Sequence, residues 1–311
     1  MVRLIRSFLL LTVCGSLLLL SGCSSSGSQS KQPPPPTNVL AYLHRTGIPG
    51  NYVTYDLKVM RSDGTTGTVL SSQSLLSAVL SPDGQKILYS YYDPNVIGYQ
   101  VATINPDGTQ QKVLTAPGSF QLYPKYTPDG SKIVFEASGN LARSIGVMNA
   151  DGSNPQIINA AVGNQYCFPA TNGSIIAVSE IVGAMQGLAT MNLDGSNQQL
   201  LVYSQYFAYP SFSADGNTIF FSDSDGRNLN VYSIASSGSM PHELTNSTLN
   251  WDPVVTNNKI YFVSVPSSVQ NPTTDSQQIF SINADGSNLT QVTNDTLYDG
   301  FQTANGVCLN P

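Results

Sequence analysis

Acidic side chains are the most numerous groups in this sequence that could do chemistry. The 311 residues contain 16 Asp and three Glu, which are Glu136, Glu180 and Glu243. A pair of carboxylates can act as general acid and general base, so their spacing matters. Ten of the Asp residues are followed directly by Gly, which is a strong signal for a tight turn, because Gly accepts a positive φ and Asp hydrogen-bonds to its own turn backbone. Most carboxylates are therefore expected to form turns rather than a catalytic pair.

The residue types and their spacing do not favour a metal site or a nucleophilic active site. The two histidines, His44 and His242, have no Cys or second His at ligand spacing, whereas a zinc site needs three or four such ligands. A serine nucleophile would need a Gly-x-Ser-x-Gly turn or an identifiable base, and the sequence contains neither. We therefore expect no catalytic residue, no metal and no cofactor, and a chain that is not an enzyme.

The Asp-Gly turns repeat with a nearly constant period. A first family of turns has its Asp at positions 63, 107, 151, 194 and 285, and Ser237 takes the Asp position in one further unit. A second family lies between them, at 81–84, 127–130, 170–173, 213–216, 256–259 and 303–306. Runs of β-forming residues flank these turns, as in Lys86–Ser90. Two hairpins in every ~44 residues give four strands per unit, which is the period of a propeller blade.

Several segments carry a more specific resemblance. YPKYTPDGSKIVFEA (123–137) and SIGVMNADGSNPQII (144–158) are similar to the repeat of TolB-type propellers, relatives of the WD-repeat propellers, although Tyr126 stands where that repeat has Trp. The resemblance extends over residues 38–311. It implies an all-β fold, a six-bladed β-propeller of four-stranded antiparallel blades.

The two ends of the repeat region suggest how the ring closes. Strand-like residues 38–43 precede the first complete unit and have no inner strand of their own, whereas residues 300–306 look like an inner strand and its turn. We expect the C-terminal strand to complete the first blade, since closure removes unpaired sheet edges.

The N-terminus has the three zones of an export signal. Arg3 and Arg6 precede an apolar run at 8–20, which is too short to span a membrane as a helix. The following Leu20-Ser21-Gly22-Cys23 resembles the lipobox of bacterial lipoproteins. That resemblance implies removal of residues 1–22 as a lipoprotein signal peptide and lipid attachment at Cys23.

The residues after Cys23 are typical of a tether. SSSGSQSKQPPPP (24–36) is rich in Ser, Gly and Pro, so residues 23–37 are expected to form a lipidated, flexible linker to a propeller at 38–311. Because Ser24 rather than Asp follows the Cys, the resemblance favours the outer membrane, with the propeller facing the periplasm of the cell envelope.

The charge composition of the chain excludes some classes of binding partner. Charged residues make up 10% of the chain and the formal net charge is −6, with no basic cluster, which argues against nucleic acid and leaves the lipid anchor as the only membrane contact. Because strands alternate in direction, both turn families should lie on one face of the propeller, and the remaining loops on the other. Aromatic residues near the channel mouth on that loop face are the candidate ligand-binding side chains. They are Tyr123, Tyr166, Tyr206, Tyr209, Trp251 and Tyr298.

These observations favour a lipid-anchored envelope propeller that binds a protein or peptide, or serves as a scaffold, without catalysis. The alternative is a carbohydrate-binding propeller. Some relatives in the family cleave pectic oligosaccharides with His-rich metal sites, and because this sequence lacks such a cluster, sugar binding is the more natural expectation than sugar cleavage.

Overall fold

The structure is a computed structural model. It describes residues 38–46, 55–61, 63–72, 75–138, 143–158, 164–182, 185–204, 209–224, 228–246, 249–256, 259–265, 277–294 and 299–300. The chain divides into two compact units, Met1–Pro34 and Pro35–Pro311, and every described residue belongs to the second. The described residues form 24 β-strands and no helix.

The strands form six four-stranded antiparallel sheets, which are the blades of a propeller. Blade 1 contains β24 (Asp299–Gly300), β1 (Asn38–Arg45), β2 (Tyr55–Arg61) and β3 (Thr66–Ser72). Blade 2 contains β4 (Leu75–Leu80), β5 (Ile87–Asp93), β6 (Gly98–Ile104) and β7 (Lys112–Val113). Blade 3 contains β8 (Gln121–Tyr126), β9 (Lys132–Ser138), β10 (Arg143–Asn149) and β11 (Gln156–Ile158).

The other three blades repeat this order, with the first strand next to the central channel. Blade 4 contains β12 (Asn164–Thr171), β13 (Ile175–Val182), β14 (Met185–Asn192) and β15 (Gln199–Ser204). Blade 5 contains β16 (Ser211–Phe212), β17 (Thr218–Ser224), β18 (Leu229–Ala235) and β19 (His242–Glu243). Blade 6 contains β20 (Asn250–Thr256), β21 (Lys259–Ser264), β22 (Gln278–Asn283) and β23 (Thr290–Gln291). The six-bladed, all-β fold expected from the repeat is confirmed.

Ring closure also follows the expectation. β24, the last strand among the described residues, pairs antiparallel with β1 through Gly300 opposite Leu43 and Asp299 opposite His44. Blade 1 is therefore built from both ends of the propeller, with its inner strand from the C-terminal end.

The Asp-Gly turns form for the reason that the sequence suggests. In the turn at 149–152, Asp151 Oδ1 accepts the backbone N–H of Ser153 at 2.9 Å, and the Gly152 N–H donates to the carbonyl of Asn149. Gly152 has φ +89°, and a Cβ there would lie 2.7 Å from the carbonyl oxygen of Leu114. Gly is required at this position both by the backbone conformation and by the close approach of the neighbouring blade.

Both turn families lie on one face, which we call the turn face. The ammonium of Lys112, next to a first-family turn of blade 2, donates to the carbonyl of Asp151 in blade 3 at 2.8 Å. One groove between these blades is lined by Asp83 and Asp129 from the second family and by Asp151 from the first. The opposite face, the loop face, carries the remaining connections.

Large side chains on the second strands of blades 2, 3, 5 and 6 supply much of the core. Tyr89, Phe135, Phe221 and Phe262 each lie two residues after an Ile on this strand, and each is at most 1% exposed. They stabilise the fold mainly by removing apolar surface from water, which contributes about 2–3 kcal/mol for a side chain of this size.

Candidate functional site

A row of aromatic rings crosses three successive blades beside the channel. Tyr123 lies within β8 and Phe168 within β12, the inner strands of blades 3 and 4, and Tyr209 lies two residues before β16 of blade 5. All three have a positive φ. The ring centroids are 4.7 Å apart between Tyr123 and Phe168, and 4.3 Å apart between Phe168 and Tyr209. Tyr123 is 5% exposed and Phe168 is 2% exposed, whereas Tyr209 is partly exposed. The structure thus brings two of the predicted aromatics, Tyr123 and Tyr209, into one row of tilted rings in contact through Phe168.

Backbone irregularities explain the shared geometry of this row. The β8–β9 pairing shifts register between Leu122 and Lys125, and the β12–β13 pairing shifts between Cys167 and Ala170. A bulge of this kind re-aims the side chain at its extra residue and is common next to binding sites. Here it directs Tyr123 and Phe168 toward each other across the blade boundary.

Trp251 does not join this row. It packs against a core cluster that contains Leu40 and Tyr42 of blade 1 and Val263 of its own blade, so it contributes to the contact between blades 6 and 1. Asp252 occupies the bulge position instead, with φ +56° and only 4% exposure. Its backbone N–H donates to the Ser222 hydroxyl of blade 5 at 3.0 Å.

The other predicted site residues are described in part or not at all. Tyr166 lies on β12 opposite Glu180, but its side chain is outside the described part of the structure. Tyr206, Tyr298 and the proposed lipid-attachment residue Cys23 lie outside the described residues. Their roles remain predictions.

A second aromatic cluster lies on the loop face of blade 2, and none of its residues is among the six aromatic residues predicted to bind a ligand. The Tyr92 and Tyr99 rings are 5.2 Å apart, and the Tyr99 and Phe120 rings are 5.9 Å apart. Tyr99 also packs against the core group that contains Tyr123. Ile97, at the tip of the β5–β6 connection, is 71% exposed, and Phe120 is 42% exposed. Together Tyr92, Ile97, Tyr99 and Phe120 form what we call the loop-face patch.

The backbone at Ile97 makes this patch unusual. Ile97 has φ +49°, a conformation that is rare for a β-branched residue and that is often found at functional positions. No sequence signal for this strain exists, since the Gly that could adopt the conformation without strain is the next residue, Gly98.

A buried ion pair lies behind the aromatic row. Glu136 on β9 is fully buried, and Arg143 Nη1 on β10 donates to its Oε1 at 2.7 Å. Burial raises the pKa of Glu136 to about 7, although Arg143 and the backbone N–H of Phe168 both act in the opposite direction. The second carboxylate oxygen, Oε2, has no hydrogen-bond partner among the described residues. The ion pair connects β9 to β10, and it also places the titratable carboxyl group of Glu136 beside the aromatic row.

The channel opens on the turn face as a cavity of about 450 Å³. Inner-strand residues of blades 2 to 6 line it, together with Leu40 and Ala41 of blade 1. Lys125 is the only charged residue among the described residues of its lining. Burial lowers the pKa of Lys125, and the Asp252 carboxylate acts in the opposite direction.

Within the described ranges, no group of three or more His, Cys, Asp or Glu side chains could hold a metal ion. His44 is on β1 and His242 is on β19, in blades 1 and 5, so the fold does not bring the two histidines together. The same ranges contain no helix that is long and apolar enough to cross a membrane.

Comparisons with known proteins agree with this architecture. The chain is similar to TolB from Acinetobacter baumannii, with a TM-score of 0.69 and 18% identity over 86% of this chain and 66% of that chain, just under two thirds of its length. It is also similar to a putative TolB from Agrobacterium tumefaciens, with a TM-score of 0.65 and 16% identity over 85% of this chain and 92% of that chain. The tricorn protease is a further similar structure, with a TM-score of 0.57 and 15% identity over 83% of this chain and 26% of that chain.

Because the sequence identities to these three structures are low, the similarities show only that the fold is shared. No curated protein matches the chain. The model of the family described as the TolB beta propeller domain matches residues 37–300, which is most of the chain. This match, the two turn families and the six four-stranded blades lead to one conclusion: the chain belongs to the TolB beta propeller domain family.

Proposed function

We propose that this protein is a lipid-anchored, non-enzymatic propeller of the bacterial cell envelope, a binding module whose loop face binds an envelope protein or peptide. The single observation that carries the binding role is the loop-face patch. It combines an exposed Ile in a strained conformation with three contacting aromatic rings. Exposed apolar side chains next to rigid aromatic rings are typical of protein-binding hot spots.

The non-enzymatic part of the proposal rests on the sequence. It offers neither a nucleophile motif nor a histidine cluster, and its Asp residues occur mainly in turns. The lipid anchor and the envelope location rest on the Leu20–Cys23 segment and on the Ser- and Pro-rich residues that follow it.

The anchor is tested by Cys23→Ala in a bacterial host. Because the thiol is the expected attachment atom, the variant should take up no radioactive palmitate and should accumulate as unprocessed precursor. Cys14→Ala, which changes a cysteine inside the apolar run, is the matched control and should be labelled normally. Undiminished labelling of Cys23→Ala would exclude the lipoprotein proposal.

The binding face is tested by cross-linking in envelope extract, followed by affinity measurement with the partner so identified. Ile97→Asp should weaken binding by a hot-spot amount, on the order of 2 kcal/mol, because it places a charge in the centre of an apolar contact. The fold should be retained, since Ile97 is exposed and Asp tolerates a positive φ better than Ile does.

Ile157→Asp is the matched control, because Ile157 is 51% exposed on β11, the outer strand of blade 3. Loss of binding in Ile157→Asp with retention in Ile97→Asp would move the site away from the loop-face patch. Binding to a glycan array that depends on Ile97 and Phe120, without a protein partner, would instead favour the carbohydrate-binding alternative.

A further inference from the structure

The turn-face end of the channel contains a charged group that the proposed function does not use. The cavity there has a volume of about 450 Å³, and residues of all six blades line it. Second-family turn residues, among them Pro82, Pro128 and Ala214, surround its mouth. The cavity therefore opens on the face opposite to the loop-face patch, and a ligand bound in it would be separate from a partner on that patch.

Lys125 of β8 lines this cavity and supplies the charged group there. Among the described residues, its Nζ forms neither an ion pair nor a hydrogen bond. Asp252, which belongs to the blade on the opposite side of the ring, is near enough to attract it but is not among the residues lining the cavity. A cation that is partly removed from water and has no hydrogen-bonded partner is unfavourable, so a bound anion would supply a direct contact that the fold leaves open.

The walls around Lys125 favour a particular kind of anion. Ala78 and Val79 of blade 2, Ala170 of blade 4 and Val254 of blade 6 present small or apolar side chains to the same cavity. A metal cation would be repelled by the ammonium, and a compact, strongly hydrated anion would gain little from these walls. An anionic group on an apolar stem could pair with the Lys125 ammonium and also contact the apolar walls.

We propose that the turn-face end of the channel binds a carboxylate carried on an apolar stem, with the carboxylate on Lys125 and the stem against the walls from blades 2, 4 and 6. A short-chain carboxylic acid and the C-terminus of a peptide share this chemistry. This site is independent of the proposed partner on the loop face.

Isothermal titration calorimetry on the purified full-length chain tests the site with defined probes. Hexanoate has the charge and the stem, hexanamide has the stem alone, and inorganic phosphate has charge alone. Lys125→Met removes the charge and keeps the side-chain length. The matched control is Lys86→Met, because Lys86 is also on the turn face but its Nζ is hydrogen-bonded to Asn105 and Gln110 and it does not line the cavity.

We expect hexanoate to bind more tightly than hexanamide and phosphate. Lys125→Met should weaken hexanoate binding roughly tenfold to a hundredfold, the range for a lost hydrogen bond to a charged group, while Lys86→Met should bind as the parent chain does. Unchanged melting temperature would show that Lys125→Met is folded.

Three results would overturn the proposal: no hexanoate binding to the parent chain, equal binding of hexanoate and hexanamide, or full affinity in Lys125→Met. Tighter binding of phosphate than of hexanoate would contradict the proposal that the ligand carries an apolar stem. N-acetyl-trialanine with a free C-terminus, compared with its amide, distinguishes a peptide C-terminus from a short-chain carboxylic acid as the ligand. If the free peptide binds more tightly than hexanoate and the amide does not bind, the ligand is a peptide C-terminus. If the free peptide binds more weakly than hexanoate, the ligand is a short-chain carboxylic acid.

Discussion

At the scale of single residues, burial decides the protonation of Glu136. Its carboxylate accepts a hydrogen bond from Arg143, yet desolvation is the larger effect and raises the pKa from 4.5 to about 7. Between these pH values the folded state keeps a proton that the unfolded state has lost. The free energy of unfolding therefore falls as the pH rises through this interval, which is opposite to the effect of a carboxylate whose pKa is lowered by folding.

Glu136→Gln should remove this pH dependence, because Gln stays neutral. The parent chain should lose up to about 3 kcal/mol of the free energy of unfolding through this group between pH 4.5 and pH 7. All other titrating groups are common to both proteins, so the difference between their free energies of unfolding isolates Glu136. Urea unfolding at pH 5, 6, 7 and 8 measures it, and a difference that does not vary with pH would contradict the account.

At the scale of elements, the close approach of strands limits which side chains a blade accepts. Gly187 on β14 lies opposite Tyr203 of β15, next to a register shift in that pairing. A Cβ on Gly187 would lie 2.5 Å from the carbonyl oxygen of Val202 and 2.7 Å from Leu200 Cδ1. The first of these atoms belongs to the backbone, so β15 itself would have to move.

Gly187→Ala should therefore lower the free energy of unfolding by about 1–3 kcal/mol, the usual effect of overpacking. Gly67→Ala on β3 is the control, because the nearest atom to its new Cβ is the flexible Arg61 guanidinium at 3.6 Å. We expect that variant to change stability by no more than about 0.5 kcal/mol. Urea unfolding of the two variants checks the comparison, and similar values for both would refute the steric explanation.

At the scale of the whole molecule, stability depends on closing the ring. β24 has two described residues, and their pairing with Leu43 and His44 connects the last blade to the first. Without it, β1 would present an open edge to the channel and to other molecules. Propeller closure thus links both ends of the repeat region in one cooperative unit.

Deletion of residues 299–311 should lower the melting temperature, broaden the transition and cause aggregation, because blade 1 loses its inner strand. Deletion of residues 24–36 removes the same number of residues from the Ser- and Pro-rich segment and should leave the transition unchanged. Differential scanning calorimetry and light scattering measure both effects. A sharp, unshifted transition without aggregation in the C-terminal deletion would show that β24 is dispensable for closure.

The sequence by itself determined the fold and its closure. Asp-Gly turns are local, since the Asp151 carboxylate and Gly152 act within a few residues of each other, and their period set the number of strands and blades. The alternation of strand direction then placed both turn families on one face. These features depend on backbone conformations that a short segment adopts largely on its own.

Only the tertiary structure decided which side chains meet. Tyr123 and Tyr209 join one row through Phe168, whereas Trp251 fills a blade boundary and Asp252 takes the bulge position beside it. A shift of one residue in a strand sends a side chain to the opposite face, and no local signal marks where an inner strand bulges. Likewise, Lys125 lies across the ring from Asp252 because blades 3 and 6 are opposite each other, a relation that exists only once six blades have closed.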